Sequence, residues 1–510
     1  MKVCIIGAGL GGLFTGAILA KEGCDVTVLE KNATIGGGLQ SFSRFGQTFD
    51  TGMHIVGGMR PGDNIWRLCH YLGIAGQARL MDVDADCTDR LYFAEDRRDY
   101  TIASGRDGFV ESLARCFPHE REGLRRYADG VMRIADSTDL FNLRPSRGGA
   151  SLFAGSPDFL MAATDFIAQY VDDPRLRAVL AYMNPLYGGR PGQTPAYVHA
   201  IISTVYMRGA SRFVGGSSHF ASLLAGVITG HGGTVTTADG VEWLEVRDRH
   251  VDSVRTKKGR VYTADRYISA IHPCTLLRLM DEHALPKAYR DRLDSLPNAN
   301  SAFSLFIKLK PGTFPYINHS EYFMTRYSDV WNFSHADRPW PLGFLFMTPP
   351  EAGTADRATK AIITAPMPFE MAARWAATTT PGRRGSDYEA WKEEKAAALL
   401  SMTEELHPGF GKCIEAVNTA SPLTIRDFYG AKDGTICGFS KDCRNIALSL
   451  LPVTTKVDNL LLTGQNNNLH GFCGVPLTAV TTAEAILGTN YVLNRIAEAT
   501  NGRHASSPQN

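Results

Sequence analysis

Paired cysteines are missing from this chain. Its ten cysteines are scattered with no C-x-x-C among them, which argues against a zinc site and against a disulfide framework and fits a reducing, cytoplasmic compartment. An excess of charge of one sign is missing too: 53 basic residues face 52 acidic ones for a net +1, and the basic residues are dispersed. That leaves no electrostatic footprint for nucleic acid. Beyond a glycine-rich opening, no apolar run is long enough to cross a bilayer, so any membrane contact is expected to be peripheral. No internal repeat is present. What remains is ordinary globular composition, 44% hydrophobic and 21% charged over 510 residues, enough for two or more domains.

Glycine is abundant where it carries information. Val3-Cys4-Ile5-Ile6 runs into Gly7-Ala8-Gly9-Leu10-Gly11-Gly12, a helical segment follows, and Asp25-Val26-Thr27-Val28-Leu29 ends in Glu30. Strand, glycine turn, helix, strand and terminal acid form a dinucleotide-binding βαβ unit. Gly7 permits the tight turn, Gly9 lets backbone approach a pyrophosphate, Gly12 allows close helix packing, and Glu30 is placed for ribose hydroxyls. The helix N-terminus favours phosphate charge. Residues 3–20 carry no charge and lie between Lys2 and Lys21, as in a signal segment, but five of them are glycines and no A-x-A cleavage spacing follows. Phosphate explains that placement better than lipid does. A second glycine cluster, Gly36-Gly37-Gly38, then implies a cofactor longer than one phosphate contact.

Further along, Ser156-Pro157-Asp158 reads as a helix cap ahead of an apolar stripe, Phe159, Ala163, Phe166, Ile167 and Tyr170, that suits a core helix better than a lipid-inserted one. From Gly215-Gly216 the pattern returns to α/β. It gives a helix through Leu223 and Ile228, a hairpin from Val241 to Val254, a short strand over 264–270, further strands over 302–310 and 357–365, and a buried strand over 459–465. Gly474-Val475-Pro476 opens a last helix reaching about Leu487. Residues 501–510 read as a disordered tail. There is one dinucleotide fingerprint, so a separate nicotinamide domain is not expected.

These pieces resemble, over nearly the whole length, the FAD-dependent family that contains phytoene desaturases, carotenoid isomerases and all-trans-retinol saturases. The Phe49-Asp50-Thr51-Gly52-Met53-His54 motif and Pro422-Leu423-Thr424 with Arg426-Asp427-Phe428-Tyr429-Gly430 look most like the saturase and isomerase branch. The resemblance implies an α/β fold, with a Rossmann-like FAD domain of the glutathione-reductase-like class interrupted by an α+β substrate domain. In that scheme the FAD domain comprises residues 1–68, 206–274 and 426–500. A helical, substrate- or membrane-facing insertion covers 69–205 and a mixed-sheet substrate domain 275–425. It places FAD on Gly7, Gly9, Gly12, Glu30, Lys31, Gly37, Gly38, Leu39, Val241, Gly464, Gln465 and Val475, with the helix near Val475 aimed at the flavin. Two departures stand out: Gly38 where relatives often carry Arg, and Gln465 where many carry Asp.

Flavin exchanges hydride equivalents, so the protein must position a substrate carbon and manage a proton. Tyr429, His470 and His54 are the candidate catalytic groups. Arg426 and Asp427 read best as a salt bridge, and Cys473 as a packed small residue rather than a nucleophile. The expected activity is FAD-dependent reduction of a C=C bond in a long apolar polyene or lipid, with desaturation less favoured. Two alternatives are polyene isomerisation with no net redox and ligand carriage without turnover. Aromatic residues such as Phe303, Phe306, Tyr322, Phe323, Trp331 and Trp340 suit either an apolar ligand or a core. The family habit adds association with the cytoplasmic face of a membrane.

Overall fold

The computed structural model describes residues 1–146, 158–333, 335–353, 356–378 and 384–501. Its organising element is a five-stranded parallel sheet in the order Thr234–Thr236, Asp25–Leu29, Lys2–Ile6, Arg266–Ser269, Leu460–Leu462. Three separate stretches of chain build it. Three helices, Leu10–Lys21, Ser218–Gly230 and Gly471–Leu487, cover one face, and the first is packed between the other two. Being enclosed, Leu10–Lys21 is apolar on all sides, with no polar stripe. That explains why a buried core helix mimics a signal segment. On the other face lies the antiparallel meander Val241–Arg247, His250–Thr256, Val261–Tyr262.

The second domain is built on a seven-stranded sheet ordered Ile414–Ala420, Ser301–Leu309, Lys360–Met367, Gly343–Met347, Ser320–Met324, Asp89–Phe93, Arg98–Ile102. All neighbours are antiparallel except Ser320–Met324 with Asp89–Phe93, which run parallel. Residues 69–205 are therefore not purely helical, as the sequence suggested: they give two strands to this sheet before the helices Arg106–Ala114, Arg121–Ser137 and Ala196–Met207.

Phe159, Phe166 and Ile167 are buried in the main core and Ala163 is buried as well, in line with the core reading of their stripe. The helix itself spans Ala163–Ala168 and starts after Ala162. Ser156 and Pro157 lie outside the described residues, as do positions 502–510 of the expected tail. The last helix begins at Gly471, not at Gly474, and carries Pro476 in its interior. Among the described residues no single helix is long and apolar enough to cross a membrane.

Candidate active site

The parallel sheet sends its strand ends toward one opening, the usual place for a ligand in such folds. Four of the five ends contribute: Ile6-Gly7 after Lys2–Ile6, Leu29-Glu30 after Asp25–Leu29, Ala270-Ile271 after Arg266–Ser269 and Thr463-Gly464 after Leu460–Leu462. Opposite them stands the seven-stranded sheet, which presents alternate residues Ala302 and Ser304, Tyr322 and Met324, Thr364 and Pro366. Between the two lies a cavity of about 540 Å³, within the range of small-ligand sites.

The glycine end is shaped by backbone. Gly7 turns at φ 101°, and a Cβ on Gly12 would lie 2.0 Å from the Gly7 carbonyl oxygen, so the helix can start here only without a side chain. A Cβ on Gly9 or on Gly464 would meet no protein atom within 4 Å: both backbones border the cavity itself. Gly11 is one residue the sequence reading passed over, since its Cβ would sit 3.0 Å from Gly464 Cα, where the first helix meets the returning segment. Glu30 is buried, and its Oε2 and Oε1 each accept a backbone N–H, from Ala8 and Asn32, both at 2.8 Å. That fixes the carboxylate at the cavity wall with lone pairs to spare.

Some expected cofactor contacts are occupied differently. Lys31 lines the cavity, but its Nζ donates to the Asp427 carbonyl at 2.6 Å, while Asn32 Nδ2 donates to the Phe428 carbonyl at 3.0 Å. Together they satisfy C-terminal carbonyls of the helix Pro422–Tyr429. Burial lowers the Lys31 pKa. Leu39 does not reach the cavity: it is fully buried and its carbonyl accepts from Ser217 Oγ at 3.0 Å. The Gln465 amide, oriented to satisfy both its ends, donates to the Ile436 carbonyl at 3.1 Å and accepts from Gly438 N–H at 3.2 Å, so it straps a loop. Gly37, Gly38 and Val241 are on the cavity wall. Val475 is there as well, but in the second turn of its helix, whose N-terminus at Gly471 is what meets the cavity.

Tyr429, His470 and His54 all line the same space. Tyr429 reaches it because Gly38 and Gly52 leave room, with its Oη 3.5 Å and 2.5 Å from where their Cβ atoms would stand. Burial raises the Tyr429 pKa. His54 Nδ1 and His470 Nε2 are buried without a hydrogen-bond partner. Burial pushes both imidazoles down to about 4, with the Lys441 charge adding to the effect at His470. Both are therefore neutral at physiological pH, and unpaired ring nitrogens in a cavity wall are what a polar ligand would satisfy.

The remaining candidates are structural. Asp427 pairs with Arg426 at 2.8 Å and with the buried Arg384, the salt bridge expected, extended by a third member. Cys473 is buried, with its thiol pushed up to about 12 by burial, and is no nucleophile. The aromatic residues divide: Tyr322 faces the cavity, while Phe303, Phe323 and Trp340 pack in the core on the far side of the sheet and Phe306 and Trp331 in the main core.

Residues 10–321 match the family described as flavin containing amine oxidoreductase. The chain belongs to that family. Its cofactor is FAD, and it is an FAD-dependent oxidoreductase. It is 28% identical over 530 residues to the all-trans-retinol 13,14-reductase of Homo sapiens, covering 96% of this chain and 86% of that one. It is 24% identical over 488 residues to the chloroplastic prolycopene isomerase of Arabidopsis thaliana, covering 91% and 78%. In fold it is similar to cyclohexylamine oxidase from Brevibacterium oxydans, with a TM-score of 0.59, 15% identity and 99% of both chains covered.

The cavity suits such a group. The bare backbones of Gly9 and Gly464, the oriented Glu30 carboxylate and the N-terminus of Gly471–Leu487 would hold the dinucleotide. His54 and His470 have nitrogens free to meet its polar edges.

Proposed function

We propose that this flavoenzyme reduces a C=C bond of a long apolar polyene. The observation that carries the reading is the continuity of the cavity, polar and glycine-lined at the parallel sheet, then walled by Tyr206, Tyr322, Met324, Phe344 and Leu345. A rod of conjugated carbon, with no charge to satisfy, is the ligand such a wall accepts. The likeness to all-trans-retinol 13,14-reductase over 96% of the chain supports the same reading.

Bound FAD supplies hydride equivalents. The residues of the chain bind, orient and exclude water. Met324, Phe344 and Leu345 desolvate the substrate end. Tyr429, at the end of the helix that Lys31 and Asn32 hold, lines the cavity beside Gly38 and Gly52. His54 and His470, neutral at physiological pH, can accept or share a proton there. The Asp427 cluster is spent on loop structure and performs no chemistry.

The test is an anaerobic incubation of the dithionite-reduced holoenzyme with all-trans-retinol and carotenoid probes, read by mass spectrometry. Product gaining two hydrogens is the expected result. A product of unchanged mass and altered retention time would instead establish isomerisation, the chemistry of the prolycopene isomerase relative. Binding with no change in mass or geometry would leave ligand carriage as the function.

A further inference from the structure

Reduction of a C=C bond needs a proton as well as a hydride, and the chain holds a buried group well placed to store one. Asp89 is 2% exposed at the start of the strand that pairs in parallel with Ser320–Met324. Its Oδ2 accepts from Tyr182 Oη at 2.8 Å and from Thr88 Oγ1 at 3.4 Å. Arg212, on the strand Ala210–Phe213, is equally buried and donates to the Thr348 carbonyl at 3.1 Å and to Ser320 Oγ at 3.2 Å.

Beside this cluster lies a void of about 10 Å³ whose wall includes Thr88, Tyr127, Tyr182, Ser203 and Tyr206. That is room for one water, and hydroxyl groups surround it. Tyr206 is the one described residue common to the wall of this void and to that of the large cavity. Its Oη donates to the Ile55 carbonyl at 3.3 Å, which leaves its oxygen able to accept.

We propose that Asp89, Tyr182, one water in this void and Tyr206 form a proton relay that delivers to the substrate end of the cavity. This rests on the reading of the reaction as a reduction. In the step, Tyr206 gives its hydroxyl proton to the substrate carbon adjacent to the one that receives hydride from the reduced flavin. Once Asp89 is protonated its bond with Tyr182 runs the other way, Asp89 donating to Tyr182 Oη and the Tyr182 hydroxyl turning to the void; Tyr206 then takes a proton from the water, the water takes that of Tyr182, and Tyr182 takes that of Asp89. Asp89 is left as a carboxylate and regains its proton from solvent, and the reduced flavin returns to the oxidised form. Tyr206 is the catalytic residue; Asp89 and Tyr182 act through it.

The electrostatics agree. Burial pushes the Asp89 carboxyl up to about 6, against the bond from Tyr182 and the charges of Arg212 and His319. Burial raises the pKa of Tyr182, Tyr206 and Tyr322, and the Asp89 charge adds to it, so the three phenols stay protonated when Asp89 is ionised. The relay is thus loaded below about pH 6 and empties above it, the reverse of a site that needs a base.

The experiment uses the FAD holoenzyme with Asp89→Asn and Tyr206→Phe. Wild-type reduction of all-trans-retinol falls about tenfold per pH unit above the Asp89 pKa, and both variants are slower by roughly a hundredfold with that pH dependence flattened. Infrared spectra carry a protonated-carboxyl band that titrates near pH 6 in wild type and in Tyr206→Phe and is absent in Asp89→Asn. Its exchange in heavy water slows about tenfold in Tyr206→Phe, a measure of the relay that needs no turnover. An unaltered pH profile in Asp89→Asn, or wild-type exchange in Tyr206→Phe, would overturn the relay. Loss of reduced product in wild type, with exchange still dependent on Tyr206, would overturn the reaction instead.

Discussion

Single residues decide whether the cofactor end can form. Gly12 is the sharpest case, because a methyl group there would collide with the Gly7 carbonyl oxygen at 2.0 Å, and backbone cannot move aside as a side chain can. Gly12→Ala is expected to cost about 3 kcal/mol, at the upper end for overpacking, and to lose FAD; urea unfolding and flavin absorbance after gel filtration measure the two. His199 shows a different residue-scale effect. It is fully buried, with Nε2 2.7 Å from Tyr127 Oη and Nδ1 3.1 Å from Tyr187 Oη, and burial lowers its pKa to about 3. Because the unfolded chain takes up this proton near pH 6.5, its stability contribution is intact above that pH and is lost as pH falls toward 3. In His199→Gln the acid-side decline in unfolding free energy should be shallower by about 1.4 kcal/mol per pH unit across that window. Equal slopes in the two proteins would refute a neutral His199. Sequence reading could place Gly12, whose role is local, but had no means to find His199, whose burial depends on helices drawn together from distant segments.

Elements carry these residues to the site, and the helix Pro422–Tyr429 illustrates how. Ser421 caps it in a capping box, accepting from Leu423 and Thr424 N–H at 3.1 and 3.4 Å, while Thr424 Oγ1 accepts from Ser421 N–H at 3.2 Å. Its far end is held by Lys31 and Asn32, and its Asp427 is clamped by Arg384 and Arg426. Removing the buried guanidinium in Arg384→Met leaves Asp427 half-compensated, and should destabilise the protein by about 3 kcal/mol. Ser421→Ala should cost about 1 kcal/mol through the cap alone; thermal unfolding of the two variants ranks them, and the reverse order would contradict the clamp. In the sequence Pro422-Leu423-Thr424 stood out only through the family resemblance, although Ser421 followed by Pro422 has the residue types of a helix cap and first position. Arg384 did not stand out, since it is 43 positions from its partner and no spacing rule links them. The last helix was misplaced for a related reason: Pro476 suggests a first turn, whereas here it sits in the interior and the helix starts at Gly471.

At the scale of the whole molecule, the flavin is expected to do more than sit in a cleft. The parallel sheet takes strands from 2–29, 234–269 and 460–462, and the cavity wall takes residues from all three stretches, at Gly9, Val241 and Gly464. These contacts were legible because each strand end announces itself through glycine or a buried apolar run. The substrate side was less so, because the seven-stranded sheet joins Asp89–Phe93 to Ser320–Met324 across more than two hundred residues, and nothing in either strand names the other. A ligand bound across three discontinuous segments stabilises only the state in which all three are assembled. FAD should therefore raise the unfolding free energy in proportion to the logarithm of its free concentration, by about 2.7 kcal/mol at one hundred times its dissociation constant. Hydrogen exchange should slow together at the ends of Lys2–Ile6, Arg266–Ser269 and Leu460–Leu462. Protection confined to the first βαβ unit would show that FAD is held by its adenosine half alone, and that the returning C-terminal segment plays no part in binding it.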